Sequence, residues 1–502
     1  MATALIVLSA TALLELLLWF SGIWKIAKAF SALLIVGIIG SALSLVVVHP
    51  MFASILLLII ATYRCVNLLR VVKHRVRLDY LQRVVVKTSA YLIALQVIVC
   101  LSWFLSQTLQ FTGRSFWPIL AVLQFLGLLV IVVSTERHLR TTRPPKDVTL
   151  LSDSELPTLT VAIPARNETE DLEACLASLV ASNYPKLEIL VLDDCSQNTR
   201  TPEIIRGFAH DGVRFLSGAE PQENWLAKNQ AYQQLLDAAN GEYVLFTGVD
   251  SRYEPGSLRI LVSALVQKKK SMLSLMPSNA VLPNVAQQDE SLMLQPARYA
   301  WELSLPRKLF NRPPVLSTCW LVNKKFLLSA GGFAAVSRAV VPESYFARVS
   351  VVHDGYSFMQ SNESIGIKSV KVAAEQWNTA VRTRYPQLHR RPELVLLMTL
   401  AELCGLVLPF ILVGISLAGD RQLLAALEAL NCLLVLFFYG RVVSLTYRKF
   451  LIRGFFAGPF AALCDIVVLN TSMLKYEFSE VIWKGRNVCI PVMRVIPKLP
   501  RL

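Results

Sequence analysis

Charged and amide side chains follow short apolar runs at several places between residues 158 and 250. A carboxylate at the end of a strand can accept hydrogen bonds from a base or a ribose, and a lysine beside a helix N-terminus can reach a phosphate. A single carboxylate can also hold a divalent metal, since Mg²⁺ is usually bound by one or two carboxylates together with substrate phosphates. The side chains that could do this chemistry are Arg166, Asn167, Glu168, Asp193, Asp194, Lys228 and Asp250. Taken singly, each motif has a structural alternative: acids that cap a helix, aspartates that favour a turn, or a lysine in solvent.

The elements that would position these side chains are alternating strands and helices. Apolar runs of strand length cover Leu159–Ile163, Leu187–Leu192 and Gly241–Thr247, and Glu168–Ser182 has helical periodicity. Such alternation predicts a mostly parallel sheet covered on both faces. Ligands of open α/β sheets bind at the carboxyl ends of the strands, where these polar residues lie. We therefore predict a soluble α/β domain over residues 148–390.

Long apolar runs flank this domain. The chain is 54% hydrophobic with a mean hydropathy of +0.49, whereas a soluble protein is about 45–50% apolar. The runs long enough to cross a bilayer are Ala2–Ile23, Ala32–Val48, Phe52–Leu69, Ser89–Gln107, Trp117–Thr135, Leu394–Leu417, Leu423–Leu445 and Phe455–Met473. Because both flanks of the last run are basic, the predicted number of crossings is seven or eight. We expect a transmembrane region of about five helices over residues 1–147, and one of two or three helices with a basic cytosolic tail over residues 391–502.

The distribution of charge predicts the orientation. The loops after the first, third and fifth runs are basic, and the two loops between them are nearly uncharged. By the positive-inside rule, the basic loops and the α/β domain face the cytosol, and we expect a multi-pass protein of the cell membrane. The net charge of +15 is then explained by basic loops beside anionic lipid. No zinc-finger or RNA-binding signature accompanies this charge, so nucleic acid is not expected as a partner.

The order and spacing of the motifs, from about Thr158 to Gly355, resemble the family 2 glycosyltransferases of GT-A fold, which is Rossmann-like. Within that family they resemble the membrane-bound group that glycosylates lipids such as ceramides, hopanoids and carotenoids. The similar segments are Ile163–Glu168 (the opening motif), Asp193–Asp194 (nucleobase-recognising aspartates), Trp225–Lys228 (W-x-G-K, with Ala227 for glycine), Gly248–Asp250 (the D-x-D position) and Trp483–Arg486 (the terminal W-[RK]-G-R). The implied architecture is a cytosolic GT-A domain inserted between α-helical transmembrane bundles.

The resemblance also implies roles for particular residues. It implies donor binding by Pro164, Arg166, Asn167, Glu168, Asp193, Asp194, Lys228, Val249 and Arg384. It implies a divalent metal, Mg²⁺ or Mn²⁺, on Asp250. Acceptor or membrane-interface contacts are expected from Trp320, Trp377, Tyr385, Trp483 and Arg486.

Two positions depart from the family pattern. Gly248 replaces the first acid of the D-x-D, and Ser344 stands where relatives carry the aspartate that deprotonates the acceptor. A serine hydroxyl cannot take up a proton at neutral pH as a carboxylate can. We therefore expect Glu343 to be the catalytic base, with Asp354 as the alternative.

The Q-x-x-R-W motif of the family is also incomplete. Arg384-Tyr385 could match its end, but Val381 occupies the glutamine position, and Trp377 is a possible substitute. The predicted function is an inverting glycosyltransferase that moves a sugar from a nucleotide donor, with UDP favoured, to a membrane lipid on the cytosolic face. The alternatives are a processive polysaccharide synthase, which would normally keep a full Q-x-x-R-W, and a catalytically impaired scaffold.

Two aromatic and basic stretches, Leu292–Phe310 and Tyr385–Arg391, are expected along the lipid headgroups, with a core helix as the alternative for the first. Charged residues also fall within or near the apolar runs. They are Glu15, Arg64, Glu402, Glu428 and Asp465. Such groups either line a polar path for an acceptor headgroup or pair with one another between helices.

Overall fold

The computed structural model describes most of the chain. The described residues are 2–20, 24–48, 52–74, 79–108, 113–144, 149–280, 285–304 and 313–489. The helices are α1 (Ala2–Phe20), α2 (Trp24–Val48), α3 (Phe52–His74), α4 (Asp79–Thr108), α5 (Gly113–Thr141), α6 (Glu170–Val180), α7 (Arg200–Gly207), α8 (Ala227–Ala238), α9 (Ser257–Gln267), α10 (Val285–Ser304), α11 (Lys324–Ser329), α12 (Pro342–Val352), α13 (Ala373–Gln387), α14 (Pro392–Glu402), α15 (Leu408–Ala418), α16 (Gln422–Thr446) and α17 (Leu451–Phe478). The strands are β1 (Leu159–Ala165), β2 (Leu187–Asp193), β3 (Val213–Ser217), β4 (Tyr243–Thr247), β5 (Ser251–Arg252), β6 (Met272–Met276), β7 (Ser278–Asn279), β8 (Cys319–Asn323), β9 (Tyr356–Gln360), β10 (Lys368–Ser369), β11 (Ile482–Trp483) and β12 (Arg486–Asn487).

The central element is a seven-stranded sheet in the order β3-β2-β1-β4-β8-β6-β9. Strand β1 pairs in parallel with β2 and β4, β2 pairs in parallel with β3, and β6 pairs in parallel with β9. Strand β8 runs antiparallel to both β4 and β6. The predicted mostly parallel sheet is confirmed, and the three predicted strands are found as β1, β2 and β4.

Side chains of the strands alternate between two apolar cores, as the pleat of a strand requires. From β1, Val161 and Ile163 pack into the core that contains Leu172 of α6. The intervening Ala162 packs into the opposite core, together with Leu235 of α8. Since helices cover both faces of the sheet, polar groups become available where the strands end.

Within the described residues, the eight predicted apolar runs lie on helices. By length and composition, six spans within the described residues could cross a membrane: Ala53–Val72, Val84–Ser102, Phe116–Thr141, Pro392–Ala418, Gln422–Thr446 and Arg448–Phe478. Helices α1 and α2 contribute the shorter apolar segments Ala10–Trp19 and Ile26–Gly40. A π-helical segment, Leu403–Val407, joins α14 to α15 within one of the six spans.

The charged residues of these apolar helices pair with neighbours. Arg64 of α3 forms an ion pair with Glu15 of α1, and Arg384 of α13 forms one with Asp465 of α17. Glu428 accepts a hydrogen bond from the Asn431 side chain at 3.1 Å. The two ion pairs support interhelical pairing, rather than a polar path, for Arg64, Glu15 and Asp465, whereas the partner of Glu428 lies on the same helix, α16.

Helix α10 belongs to the interior. Tyr299, Trp301 and Leu303 are all buried, and Trp301 donates a hydrogen bond to Glu402 of α14 at 3.2 Å. The core-helix alternative is therefore correct for these residues, and a position along the lipid headgroups is wrong. The rest of the predicted stretch, up to Phe310, lies outside the described residues.

Candidate active site

The carboxyl end of β1 is tied to the end of β2. The Arg166 guanidinium is buried and donates to the backbone oxygens of Asp194 and Cys195, each at 2.5 Å. Asn167, at φ 50°, takes up the left-handed conformation that asparagine tolerates. Its backbone N–H donates to Ser196 Oγ at 2.9 Å. Arg166 and Asn167 thus hold the two strand ends together, and donor binding by them stays a prediction.

The paired aspartates at the end of β2 face different surroundings. Asp193 accepts a hydrogen bond from the backbone N–H of Ser196 at 3.1 Å, which is turn chemistry. Asp194 is buried, and its Oδ1 accepts from Arg486 at 2.6 Å. Burial raises the pKa of Asp194, and the nearby Arg486 offsets part of that rise.

The C-terminal hairpin, strands β11 and β12, reaches back from the last apolar helix to these strand ends. Lys484 and Gly485 form its turn with φ of 49° and 77°, a backbone conformation typical of tight hairpins. Lys484 Nζ lies 2.8 Å from Glu168 Oε2, and Arg486 also pairs with Glu220 at 3.1 Å. The structure thus brings the predicted opening motif, one of the aspartates and the terminal motif into one cluster.

A cavity of about 230 Å³ lies between this hairpin, α8 and α13. Among its lining residues are Trp225, Lys228, Val341, Arg382, Trp483 and Arg486. The Arg382 guanidinium stands over the Trp483 ring, 4.8 Å from its centroid. The cavity is smaller than a drug-sized ligand pocket, so only part of a nucleotide-sugar fits in the conformation described.

The negative charge of the buried Glu343 acts on two cations that line this cavity. Burial lowers the pKa of Lys228 to about 8, and the negative charge of Glu343 opposes that shift. Burial likewise lowers the pKa of Arg382 to about 10, with Glu343 again among the opposing charges. Glu343 itself lies in the first turn of α12 and is 2% exposed.

Asp354, the alternative base, lies elsewhere. Its side chain is 98% exposed and pairs with Lys270 at 3.0 Å. It follows the far end of α12, one residue before Gly355, and is not among the residues that line the cavity. Ser344 is buried next to Glu343, and its backbone N–H donates to the Val341 oxygen at 3.2 Å.

Asp250, the expected metal ligand, is paired with a lysine. Lys371 Nζ lies 3.0 Å from Asp250 Oδ2, and the two side chains are 18% and 14% exposed. Burial raises the pKa of Asp250, but the charge and hydrogen bond of Lys371, a backbone hydrogen bond and the charge of Arg298 together outweigh that effect, so the pKa is lowered. The neighbouring Val249 packs against the core on the α6 side of the sheet.

The residues around Asp250 do not fit a divalent metal. Gly248 offers no side-chain ligand, and the ammonium of Lys371 stands on the carboxylate that would hold the ion. Within the described part of the chain, no group of three or more histidine, cysteine, aspartate and glutamate side chains is arranged to hold a metal. The expected metal on Asp250 therefore lacks support from the residues themselves.

Three predicted site residues are buried away from the cavity. Arg384 is 1% exposed, and its guanidinium lies 4.1 Å from the centroid of the Trp301 ring, so it packs in the interior, and donor binding by Arg384 stays a prediction. Tyr385 is fully buried and donates to Glu477 at 2.8 Å. Trp320 is fully buried and stacks on Phe246 at 4.5 Å between ring centroids. Tyr385 and Trp320 thus have packing partners inside the protein, and their expected acceptor or interface contacts stay predictions.

The other two predicted residues outside the cluster have packing roles. Trp377 is half-buried and packs against a small apolar group that includes Val381 and Val468. Pro164 is half-buried within β1, in register with Leu192 of β2. Their predicted contacts with acceptor and donor remain predictions.

Sequence reasoning missed Arg382, Lys371 and Lys484. Arg382 has no aromatic residue after it, so nothing marks it as part of a Q-x-x-R-W motif. Lys484 lies within the terminal motif but was given no role, and Lys371 belongs to no motif. Each can be identified only from the carboxylate with which it pairs in the structure.

Residues 160–328 match the family model described as glycosyl transferase family 2. A glycosyltransferase of Haloferax volcanii, AglE, is 39% identical over 85 residues, which is 16% of this chain and 28% of that protein. The probable glycosyltransferase YdaM of Bacillus subtilis is 30% identical over 121 residues, which is 23% of this chain and 28% of that protein. The chain thus spans about a quarter of the length of each of these relatives.

Solved structures show weaker overall likeness. The mannosyltransferase PcManGT from Pyrobaculum calidifontis, in complex with GDP-Man and Mn²⁺, is 18% identical with a TM-score of 0.41, covering 70% of this chain and 98% of that one. S. aureus TarS 1-349 in complex with UDP-GlcNAc is 14% identical with a TM-score of 0.31, covering 66% of this chain and 95% of that one.

The sheet and the family match describe the same central region of the chain. It has a GT-A-like, mostly parallel sheet that carries a glycosyl transferase family 2 match. Six helices that are apolar and long enough to cross a membrane accompany it within the described residues.

Proposed function

We propose that the protein is a membrane-bound inverting glycosyltransferase that moves a sugar from a nucleotide donor to a membrane lipid. The observation that carries this proposal is a cavity lined by two cations, Lys228 and Arg382, whose pKa values are both raised by the charge of the buried Glu343. A transferase of this kind needs a base for the acceptor and positive charge for the leaving diphosphate.

The residues support a direct displacement. Glu343 accepts the proton of the acceptor hydroxyl while that oxygen forms a bond to the anomeric carbon of the sugar. The bond between the anomeric carbon and the phosphate oxygen breaks on the opposite side, and the nucleoside diphosphate leaves. Lys228 and Arg382 stabilise the charge that develops on it, because cations in a site shielded from water act more strongly than in solution.

A lipid acceptor is supported by where the cavity lies. Arg382 is on α13, and its backbone oxygen accepts a hydrogen bond from Tyr476 of α17 at 2.7 Å. Helix α17 is part of a span long and apolar enough to cross a membrane. The cavity is therefore next to the place where the α/β domain meets the apolar helices, which suits an acceptor whose headgroup lies at the bilayer surface.

In this proposal the α/β domain lies on the cytosolic side of the cell membrane, which the basic loops of the sequence support. UDP is the donor nucleotide that the family resemblance favours. The Asp194 carboxylate and the opening motif would hold the nucleoside, and the C-terminal hairpin would cover it.

The substitution Glu343→Gln tests the assignment of the base. An amide cannot take up the proton, so transfer of radiolabelled sugar from UDP-sugars into membrane lipid should fall by at least about 100-fold. Stabilisation of the purified protein by UDP against thermal unfolding should persist, because the nucleotide-binding groups are kept.

Asp354→Asn is the matched control, since it removes an exposed carboxylate from the same region, and it should leave transfer unchanged. Full transfer by the Glu343→Gln variant would remove Glu343 from the mechanism. A native protein that neither transfers sugar nor responds to any nucleotide would favour the scaffold alternative.

A further inference from the structure

An internal ion pair stands where the family resemblance implies a metal. Lys371 Nζ lies 3.0 Å from Asp250 Oδ2, and both side chains are largely shielded from solvent. Lys371 is therefore not an ordinary solvent-exposed surface lysine. The pair instead joins two segments that are more than one hundred residues apart in the chain.

The backbone around Lys371 is fixed on both sides. The backbone N–H of Val370 donates to the backbone oxygen of Asp250 at 2.9 Å, and β10 pairs with β5, which follows Asp250 directly. The side-chain amide of Gln376, itself 3% exposed, donates to the Lys371 oxygen at 2.8 Å. Lys371 is therefore built into the carboxyl edge of the sheet, facing Asp250.

The sequence at the D-x-D position agrees with a lysine rather than a metal. A side chain at Gly248 would contact the Asp250 carboxylate in its present orientation. The glycine thus leaves room for Asp250 to turn toward Lys371. It also removes the second carboxylate that would help to hold a divalent ion.

An ammonium group has three donors. When one faces Asp250, the others remain for phosphate oxygens. Lys228, which lines the cavity, adds a second positive charge. The diphosphate of a nucleotide can thus be neutralised by side chains alone.

We propose that Lys371, oriented by Asp250, takes the place of the divalent metal, so that the donor diphosphate binds and leaves without a metal ion. This inference rests on the proposed glycosyltransferase function and names the group that neutralises its leaving diphosphate.

The test is a thermal-shift titration of the full-length protein in detergent with UDP and with GDP. It is run in EDTA, in Mg²⁺ and in Mn²⁺. The expected result is that at least one of the two nucleotides raises the unfolding temperature, and that its affinity in EDTA is within about twofold of that in either metal. A shift that needs metal overturns the role of Lys371 and leaves the transferase standing. No shift with either nucleotide under any condition overturns the proposed function and this inference together.

Substitutions make the test specific. Lys371→Ala should weaken nucleotide binding in EDTA by at least about tenfold, and Lys371→Arg should recover part of it, because the positive charge is kept. Lys368→Ala is the matched control, since Lys368 lies three residues earlier and pairs with the exposed Glu254 at 3.0 Å. It should bind as the native protein does.

A double variant asks whether the metal site can be restored. Gly248→Asp with Lys371→Ala supplies a second carboxylate and removes the ammonium, so nucleotide binding should become dependent on Mn²⁺. If Lys371→Ala binds nucleotide as tightly as the native protein in EDTA, the proposal is wrong. Where a variant fails to fold, the EDTA titration of the native protein still decides.

Discussion

Lys228 is a cavity residue whose positive charge is opposed by burial. It lines the cavity and stacks on Tyr232, with Nζ 5.1 Å from the ring centroid. Burial lowers its pKa from 10.5 to about 8. Between these two values the unfolded chain binds more protons than the folded one, so the stability of the free protein rises with pH over this window. A bound diphosphate has the opposite effect on the pKa of Lys228, because its negative charge favours the charged ammonium.

Nucleotide affinity should therefore depend on pH through Lys228. Below pH of about 8 the ammonium is present and binding is strongest, and above it the dissociation constant should rise by about tenfold per pH unit. Calorimetric titration with UDP between pH 6.5 and 9.5 measures this dependence. Lys228→Arg should shift the weakening to higher pH, since an arginine stays protonated, and Lys228→Met should bind weakly throughout. The same alkaline loss in the Lys228→Arg variant would show that another group titrates.

Single residues were predictable where a motif fixes the spacing. Asp194 and Glu343 were named from the sequence, because the order of the motifs places them within the resemblance, and the structure buries both near the cavity or the hairpin. Lys371 was not, because its pairing with Asp250 depends on how β10 returns to β5. The local sequence of residues 368–371 does not predict that contact.

At the scale of the element, helix α13 shows that a motif in the sequence does not indicate which of two side chains lines the cavity. Arg382 and Arg384 are two residues apart, and such positions do not face the same way on a helix. Arg382 points to the cavity and to Trp483, whereas Arg384 points to Asp465 of α17. Counting from the family motif selected Arg384, but the helix phase is set by packing against α10 and α17, which the sequence does not display.

Substitutions of the two arginines should affect different properties of the protein, transfer in one case and stability in the other. Arg382→Gln should fold normally and lose most transfer, because it removes charge stabilisation of the leaving group. Arg384→Gln should lower stability by about 3–5 kcal/mol, because it leaves Asp465 buried without its cation. Thermal unfolding in detergent and the lipid transfer assay, run on both variants, separate these effects. A stable but inactive Arg384→Gln, beside an active Arg382→Gln, would restore the assignment made from the sequence.

The strands illustrate the same limit at a longer range. The boundaries of β1, β2 and β4 follow from apolar runs and the polar residues after them, and the structure reproduces them to within about two residues. The antiparallel β8, between β4 and β6, was not anticipated. The position of β8 in the sheet is accompanied by packing of Trp320 against Phe246 and other aromatic rings. Such contacts between distant segments cannot be read from the local sequence.

At the scale of the whole molecule, a buried polar cluster joins the first set of apolar helices to the last one and to the α/β domain. Arg70 of α3 donates to Glu477 of α17 at 2.7 Å, and Tyr385 of α13 donates to the same carboxylate at 2.8 Å. The side chains of Arg70 and Glu477 are 6% and 3% exposed. Since α13 also carries Arg382, this cluster links the bundle to the position of a cavity cation.

Removing either partner of the Arg70–Glu477 ion pair should therefore lower the free energy of unfolding more than removing one partner of a surface ion pair. Arg70→Ala and Glu477→Ala each leave a buried charge without its main partner, and each should destabilise by about 3–5 kcal/mol. The double variant should be less destabilised than the sum of the two by at least about 1 kcal/mol, because neither unpaired charge remains. The exposed pair Arg200–Glu173, at 3.3 Å, is the control, and its disruption should change stability by less than about 1 kcal/mol. Denaturation of the four proteins in one detergent measures the cycle. Additive losses at Arg70 and Glu477 would mean that the two side chains act independently, with Glu477 held mainly by Tyr385 and by Arg390, which lies 4.0 Å away.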